Sequence, residues 1–317
     1  MEGEGTASGV IMQSDNLDIT SMMTWEEGIP RPQWELIESW VESRDDFAEG
    51  WNIVCREWLT QIAKAVDPKF ALAESDEFLI LAPNSESAAG LNWFAEKCWV
   101  RMRNVLGSVA QPSSKGKHVV VAFQEADDYF RYISPSFPEG EHGSTAGLQI
   151  REGYSHIVLH GQHQWMMENV LAHESTHAAL QHLEMPQWIE EGLAQMFEHD
   201  MTGRGLLELD AEIAQRHKRY WTKHGMDEFW RGEGFSRAGK VQELTYQLAE
   251  ILMRLLVEDA RPRWFGWVRE PQQRFFLFLQ EANEVDCGEE ACRECLGFEL
   301  RDLAARFLGE GDWSPSL

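Results

Sequence analysis

The chain has 317 residues, 43% of them hydrophobic, so it can bury a sizeable core in one compact unit of two lobes. Its 53 acidic and 28 basic residues leave a formal net charge of −25, which repels phosphate backbones and anionic lipid and argues against nucleic-acid or membrane partners. The acidity reads most simply as a well-hydrated surface, with steering of basic peptides as the sharper alternative.

Met1 to Asp18 lacks the basic and apolar regions of a secretory signal. No segment approaches the roughly 20 apolar residues of a membrane helix. The odd set Cys55, Cys98, Cys287, Cys292 and Cys295 fits reduced thiols in a cytoplasm better than a disulfide scaffold.

Residues 1–24 are rich in Gly, Ser, Asp and Met without periodicity and read as a flexible tail. Pro30 and Pro32 precede a pattern from Gln33 to Val66 whose apolar spacing predicts one or two amphipathic helices, the main content of an N-terminal helical segment over 25–70. An α/β subdomain is expected over 71–183. Its strands are Glu77–Leu81, His118–Phe123, Ser144–Ile150 and Tyr154–His160, the last two joined by a turn at Arg151-Glu152-Gly153. Its helices are Ser85–Leu106, Glu125–Ile133 and His163–His182. A helical C-terminal subdomain fills 184–317, with helices at Pro186–His199, Leu206–Trp221, Ala238–Val257, Pro262–Ala282 and Cys292–Leu308, and Pro186 as a first helical residue. The expected class is α+β, a mixed sheet followed by a helical lobe.

His173-Glu174-Ser175-Thr176-His177 lies inside a predicted helix. Residues four apart share a helix face, so both imidazoles can reach one ion, and Glu174 can take a proton from a water beside it. A zinc site that keeps one position open needs a third protein ligand. Glu191 supplies it if two antiparallel helices pack as a hairpin. The first runs about five residues beyond His177 and the second about five from Pro186 to Glu191, arms of nearly equal length at ~1.5 Å per residue. Gly192 is expected to let these two helices approach closely. Glu190 is the competing carboxylate, with a solvated first-turn acid as its plainer role. Gln195, one turn beyond Glu191, can hold a ligand histidine by its second ring nitrogen or simply pack.

His-Glu-Ser-Thr-His followed by Trp188-Ile189-Glu190-Glu191-Gly192-Leu193-Ala194 resembles the gluzincins, specifically the peptidase-MA-like group with a short spacer between its two ligand helices. The resemblance spans about Phe78 to Val268 and is looser upstream, where it includes the pair Ala146-Gly147. It implies a zincin-like fold and a Zn²⁺ ion held by His173, His177 and Glu191, with Glu174 as general base. It also implies a substrate-binding edge strand before the metal helix, for which Ala146–Ile150 is the candidate; an ordinary core-flanking strand is the alternative. Many gluzincins carry an oxyanion-stabilising tyrosine on a later helix. Tyr246 matches by position, although the Lys-Gly or Ser that often follows is absent, and a packing role remains open.

Cys287, Cys292 and Cys295 have metal-like spacing without a second cysteine pair, so reduced thiols at a helix start are the simpler reading. His156, His160 and His163 lie close in sequence to the metal helix and read as satisfied or exposed, His163 near the cleft rim. The tryptophans fall at core spacing. The expected function is a zinc metallopeptidase, a hydrolase acting on a peptide or protein substrate. The alternative is a zinc-binding protein of the same fold that holds a peptide or partner without hydrolysis.

Overall fold

Buried strands alternate with amphipathic helices and organise the chain around one mixed sheet. The computed structural model describes residues 19–113, 115–137, 146–203, 211–260 and 270–316. Strands β1 (Met23–Glu26) and β2 (Ile29–Pro32) pair antiparallel. Helices α1 (Trp34–Glu42) and α2 (Phe47–Val66) follow, α2 capped by the Asp46 carboxylate, which accepts from the Glu49 N–H at 3.0 Å. Next come β3 (Ala71–Glu74), β4 (Phe78–Ala82), α3 (Ser85–Leu106), β5 (His118–Phe123), α4 (Ala126–Ile133), β6 (Gly147–Ile150) and β7 (His156–His160). The later described elements are helices: α5 (Gln164–Leu180), α6 (Gln187–Thr202), α7 (Ala211–Tyr220), α8 (Lys223–Trp230), α9 (Lys240–Ala260), α10 (Glu270–Glu281), α11 (Glu289–Ala291) and α12 (Leu300–Leu308).

The five-stranded sheet has the order β3-β4-β5-β7-β6. β4, β5 and β7 run parallel, and β3 and β6 close the two edges antiparallel to their neighbours. The central strands are buried on both faces, as continuous Val, Ile, Leu and Phe runs require. On one face Ile80, Val120 and Leu159 pack into a core built with α3, α5 and the later helices. On the other, Leu81, Val121 and Val158 meet Trp51, Trp58 and Tyr129. The class is therefore mixed α+β.

Several elements depart from the periodicity-based expectation. The expected tail ends early: Ile19 is buried at the start of a 3-10 turn (Ile19–Met22), and Met23 begins β1, while residues 1–18 lie outside those described. The hairpin was masked by Pro30 and Pro32, which a short two-stranded ribbon tolerates because each strand has an unpaired side. β3 was hidden in Ala71-Leu72-Ala73-Glu74, which lacks β-branched residues. α5 ends at Leu180 rather than His182, and Pro186 caps α6 instead of opening it. α6 continues past His199 to Thr202. α8 was not anticipated. The helix expected over Cys292–Leu308 is broken at Gly297 (φ 85°), between a π-helical turn at Cys292–Leu296 and α12. The expected starts at Ser144, Leu206 and Pro262 fall outside the described residues.

Candidate metal centre

α5 lies between the sheet, α3 and α6, and small or apolar residues consequently occupy most of its surface: Met167, Leu171, Ala172, Ala178, Ala179 and Leu180 are buried. Ser175 and Thr176 are buried too, and the Thr176 hydroxyl donates to the Ala172 carbonyl at 3.0 Å. His173, Glu174 and His177 remain on the side facing α6.

α6 returns antiparallel against α5 and is anchored by Trp188. The Trp188 indole is fully buried, donates to the Cys287 carbonyl at 3.0 Å and stacks edge-on against Trp230. The far end of α6 is tied down by Asp200, which accepts from Arg101 of α3 (2.8 Å) and Arg254 of α9 (3.0 Å), and by His199, 2.8 Å from the buried Glu250 of α9. These contacts hold the register in which Glu191 faces both histidines. Its Oε2 lies 3.4 Å from His173 Nε2 and 3.7 Å from His177 Nε2. One ligand atom from each residue lies within 4.8 Å of the others, and this is the only such metal-competent group among the described residues.

Each imidazole is oriented from behind. His173 Nδ1 lies 3.2 Å from Glu198 Oε2, and His177 Nδ1 lies 2.9 Å from Glu190 Oε1. A carboxylate accepts only, so each Nδ1 carries a proton and each Nε2 is turned towards Glu191. Carboxylate–histidine pairs of this kind fix the tautomer and ring of a metal ligand. Gln195 Nε2 is 3.2 Å from both His173 Nδ1 and Glu198 Oε2. Two donors do not bond each other, so its amide donates to Glu198 and steadies the carboxylate rather than the ring.

The donor set fits zinc: two imidazole nitrogens and one carboxylate oxygen, the three protein ligands of a centre whose fourth position goes to water. Glu191 Oε2 is buried with no hydrogen-bond partner, an arrangement that is costly unless a cation takes that oxygen. Burial opposes ionisation of Glu191, but the facing His173 and His177 outweigh it and hold the carboxyl below its ordinary value. Burial likewise favours neutral His173, yet Glu191 and Glu198 raise its pKa to about 10. A metal ion at Nε2 would replace that proton. Glu174 is shifted upward by burial, partly offset by His173 and His177 and reinforced by the nearby Glu191 and Glu190.

Tyr246 lies on α9. Burial raises its pKa, and the charges of Glu191 and Glu174 raise it further, so the phenol lies in the field of the centre and stays protonated. Its ring packs edge-on against Phe235 at 5.0 Å. Gly192 does not face α5 as expected. A Cβ there would come within 2.6 Å of the Ala249 carbonyl oxygen, so this glycine brings α6 against α9, the helix of Tyr246.

Among the described residues β6 is an unpaired edge of the sheet, beside α5: a Cβ on Gly147 would meet Val170 Cγ1 at 2.2 Å. The Ala146 carbonyl accepts from the His160 N–H at 2.8 Å, which by antiparallel alternation turns the main-chain groups of Gly147 and Gln149 to the open side.

The other sequence candidates stay apart from the centre. His156 is buried and satisfied, His160 packs on Tyr129 at 4.6 Å, and His163 is exposed and stacked on Trp165. All five cysteines are free thiols, and burial pushes Cys287 up to about 11. Trp51, Trp58, Trp188 and Trp230 are core, whereas Trp25, Trp93 and Trp165 are exposed. Glu198 escaped the sequence reading; the available signal was its position seven residues after Glu191, on the same helix face. Glu190, the rival carboxylate in the sequence, sits in the first turn of α6, partly buried, with Oε1 on His177 Nδ1. No family model and no curated protein matches the chain.

Proposed function

We propose that the protein is a zinc-dependent metallopeptidase, a gluzincin-type hydrolase of peptide bonds with a zincin-like arrangement of sheet, metal helix and helical lobe. One observation carries this reading: His173 and His177 both aim Nε2 at the unpartnered Glu191 Oε2, and each is held from behind by its own carboxylate, Glu198 or Glu190. His173, His177 and Glu191 would hold the ion. Bound zinc supplies Lewis-acid polarisation and makes water acidic near neutral pH.

The remaining roles belong to the chain. Glu174, adjacent to His173 and with a raised pKa, accepts a proton from the attacking water and returns it to the leaving amine. Tyr246, kept protonated, donates its hydroxyl to the oxygen on which negative charge develops. The open edge of β6 binds an extended peptide through main-chain hydrogen bonds. A reducing compartment such as the cytoplasm suits the five free thiols. No helix among the described residues is long and apolar enough to cross a membrane.

The test is digestion of a mixed peptide library by wild type and Glu174→Gln, with zinc content measured in both. The expected result is chelator-sensitive cleavage by wild type, and no turnover with undiminished zinc in the variant. Full activity in Glu174→Gln sinks the mechanism. Stoichiometric zinc without cleavage of any peptide favours a non-hydrolytic binder.

A further inference from the structure

On the sheet face away from the metal centre, a cavity of about 250 Å³ opens between the β1–β2 hairpin, the end of α4 and the paired ends of β6 and β7. Its lining mixes aromatic and polar side chains: Trp34 and Trp58 meet edge-on at 5.1 Å, Tyr132 is a third aromatic, and the exposed carboxylates of Glu26 and Glu152 lie among the polar ones. Arg31 enters from β2 with its guanidinium stacked on the Tyr132 ring at 4.5 Å and one Nη2 hydrogen bond to the Tyr132 carbonyl.

The polar groups inside are mostly committed. His156 Nδ1 lies 2.8 Å from the Tyr154 carbonyl, which only accepts, so Nδ1 carries the proton and Nε2 accepts from the Tyr132 hydroxyl at 2.9 Å. The Trp58 indole donates to the Pro30 carbonyl. Arg31 Nε is different: it is buried and has no hydrogen-bond partner. Its nearest carboxylate, Glu26 on the rim, is half-exposed and 3.7 Å away, too far to satisfy it. A buried, charged donor without an acceptor is an unfavourable arrangement that a ligand acceptor relieves, and a charge-assisted bond to a carboxylate relieves it best.

We propose that this cavity binds a carboxylate of about amino-acid size carrying an apolar or aromatic body, with the carboxylate on Arg31 Nε and the body among the aromatic side chains. The carboxylate can come from a free small acid or from the end of a peptide laid along β6, whose residue Ile150 lines the cavity.

The test is calorimetric titration of the full chain with N-acetyl-phenylalanine and with its neutral amide. The acid is expected to bind, with the amide and the Arg31→Gln variant each roughly tenfold or more weaker. A His177→Ala chain should bind the acid as wild type does; loss there assigns the acid to the metal centre and overturns the proposal. Equal binding of acid and amide, undiminished binding by Arg31→Gln, or no binding of either compound also overturns it. If Arg31→Gln does not fold, Ser136→Trp fills the cavity from its rim while keeping Arg31, and unchanged acid binding in that variant is equally fatal. A hexapeptide ending in a free phenylalanine that binds more tightly than N-acetyl-phenylalanine, and still requires Arg31, identifies the peptide end as the source. Equal affinity identifies the small acid.

Discussion

Glu190 Oε1 lies 2.9 Å from His177 Nδ1, so the carboxylate immediately before the candidate ligand Glu191 orients the second imidazole of the centre. Adjacent helix residues project about 100° apart. Here that divergence places Glu191 before the two Nε2 atoms and Glu190 behind the His177 ring. Glu198 plays the corresponding part for His173 at 3.2 Å. α6 thus provides both the candidate ligand Glu191 and the carboxylates that hold the two imidazoles.

Glu190→Gln and Glu198→Gln should each weaken zinc binding roughly 10- to 100-fold while leaving helix content unchanged. Competition against a chromophoric chelator measures this directly. Wild-type affinity in both variants would remove the orienting role.

Tyr246→Phe should lower kcat by roughly 10²- to 10³-fold with unaltered zinc stoichiometry, the usual cost of losing one oxyanion donor. Steady-state kinetics on a cleaved library peptide, paired with metal analysis, separates the two quantities. Full kcat returns Tyr246 to a packing role beside Phe235.

Gly192→Ala should destabilise the fold by about 1–3 kcal/mol in chemical denaturation. Its Cβ would sit 2.6 Å from both Met253 Cγ and the Ala249 carbonyl oxygen. Met253 can swing aside, but the carbonyl belongs to helix backbone, so α6 and α9 must part. Turnover should fall more than zinc affinity, because α9 carries Tyr246 whereas both metal helices keep their spacing. An equal fall in the two would count against this account of Gly192.

Acid should unfold the protein through His118 and His156. Both are buried, and burial lowers each pKa to about 4 from an ordinary value of 6.5. Between those values the unfolded chain binds protons that the fold excludes, so stability is fully present above about pH 6.5 and declines as pH falls towards 4. The loss is on the order of 3 kcal/mol per histidine. His118 packs at tilted angles against Phe78 and Trp99, and His118→Phe should flatten this acid limb in melting curves recorded from pH 7 to 4. An unchanged slope would mean that His118 does not contribute.

The sequence by itself determined what depends on local repeat. Spacing of four on a helix puts His173 and His177 on one face, continuous β-branched runs define β5 and β7, and matched helix arms return Glu191 to His177. Tertiary packing decided the rest. Glu198 is 25 residues from His173 in the chain, and no periodicity states which carboxylate of α6 reaches which ring. Gly192 carries the same local signal whether it faces α5 or α9; only the position of α9 assigns it. β1, β2 and β3 lack a strong strand pattern and exist because a neighbouring strand supplies the hydrogen bonds. The field of Glu191 and Glu174 at Tyr246, like the unpartnered Arg31 Nε, arises between residues far apart in the chain. Periodicity sets the face a side chain points from, and close packing of that face sets what it meets.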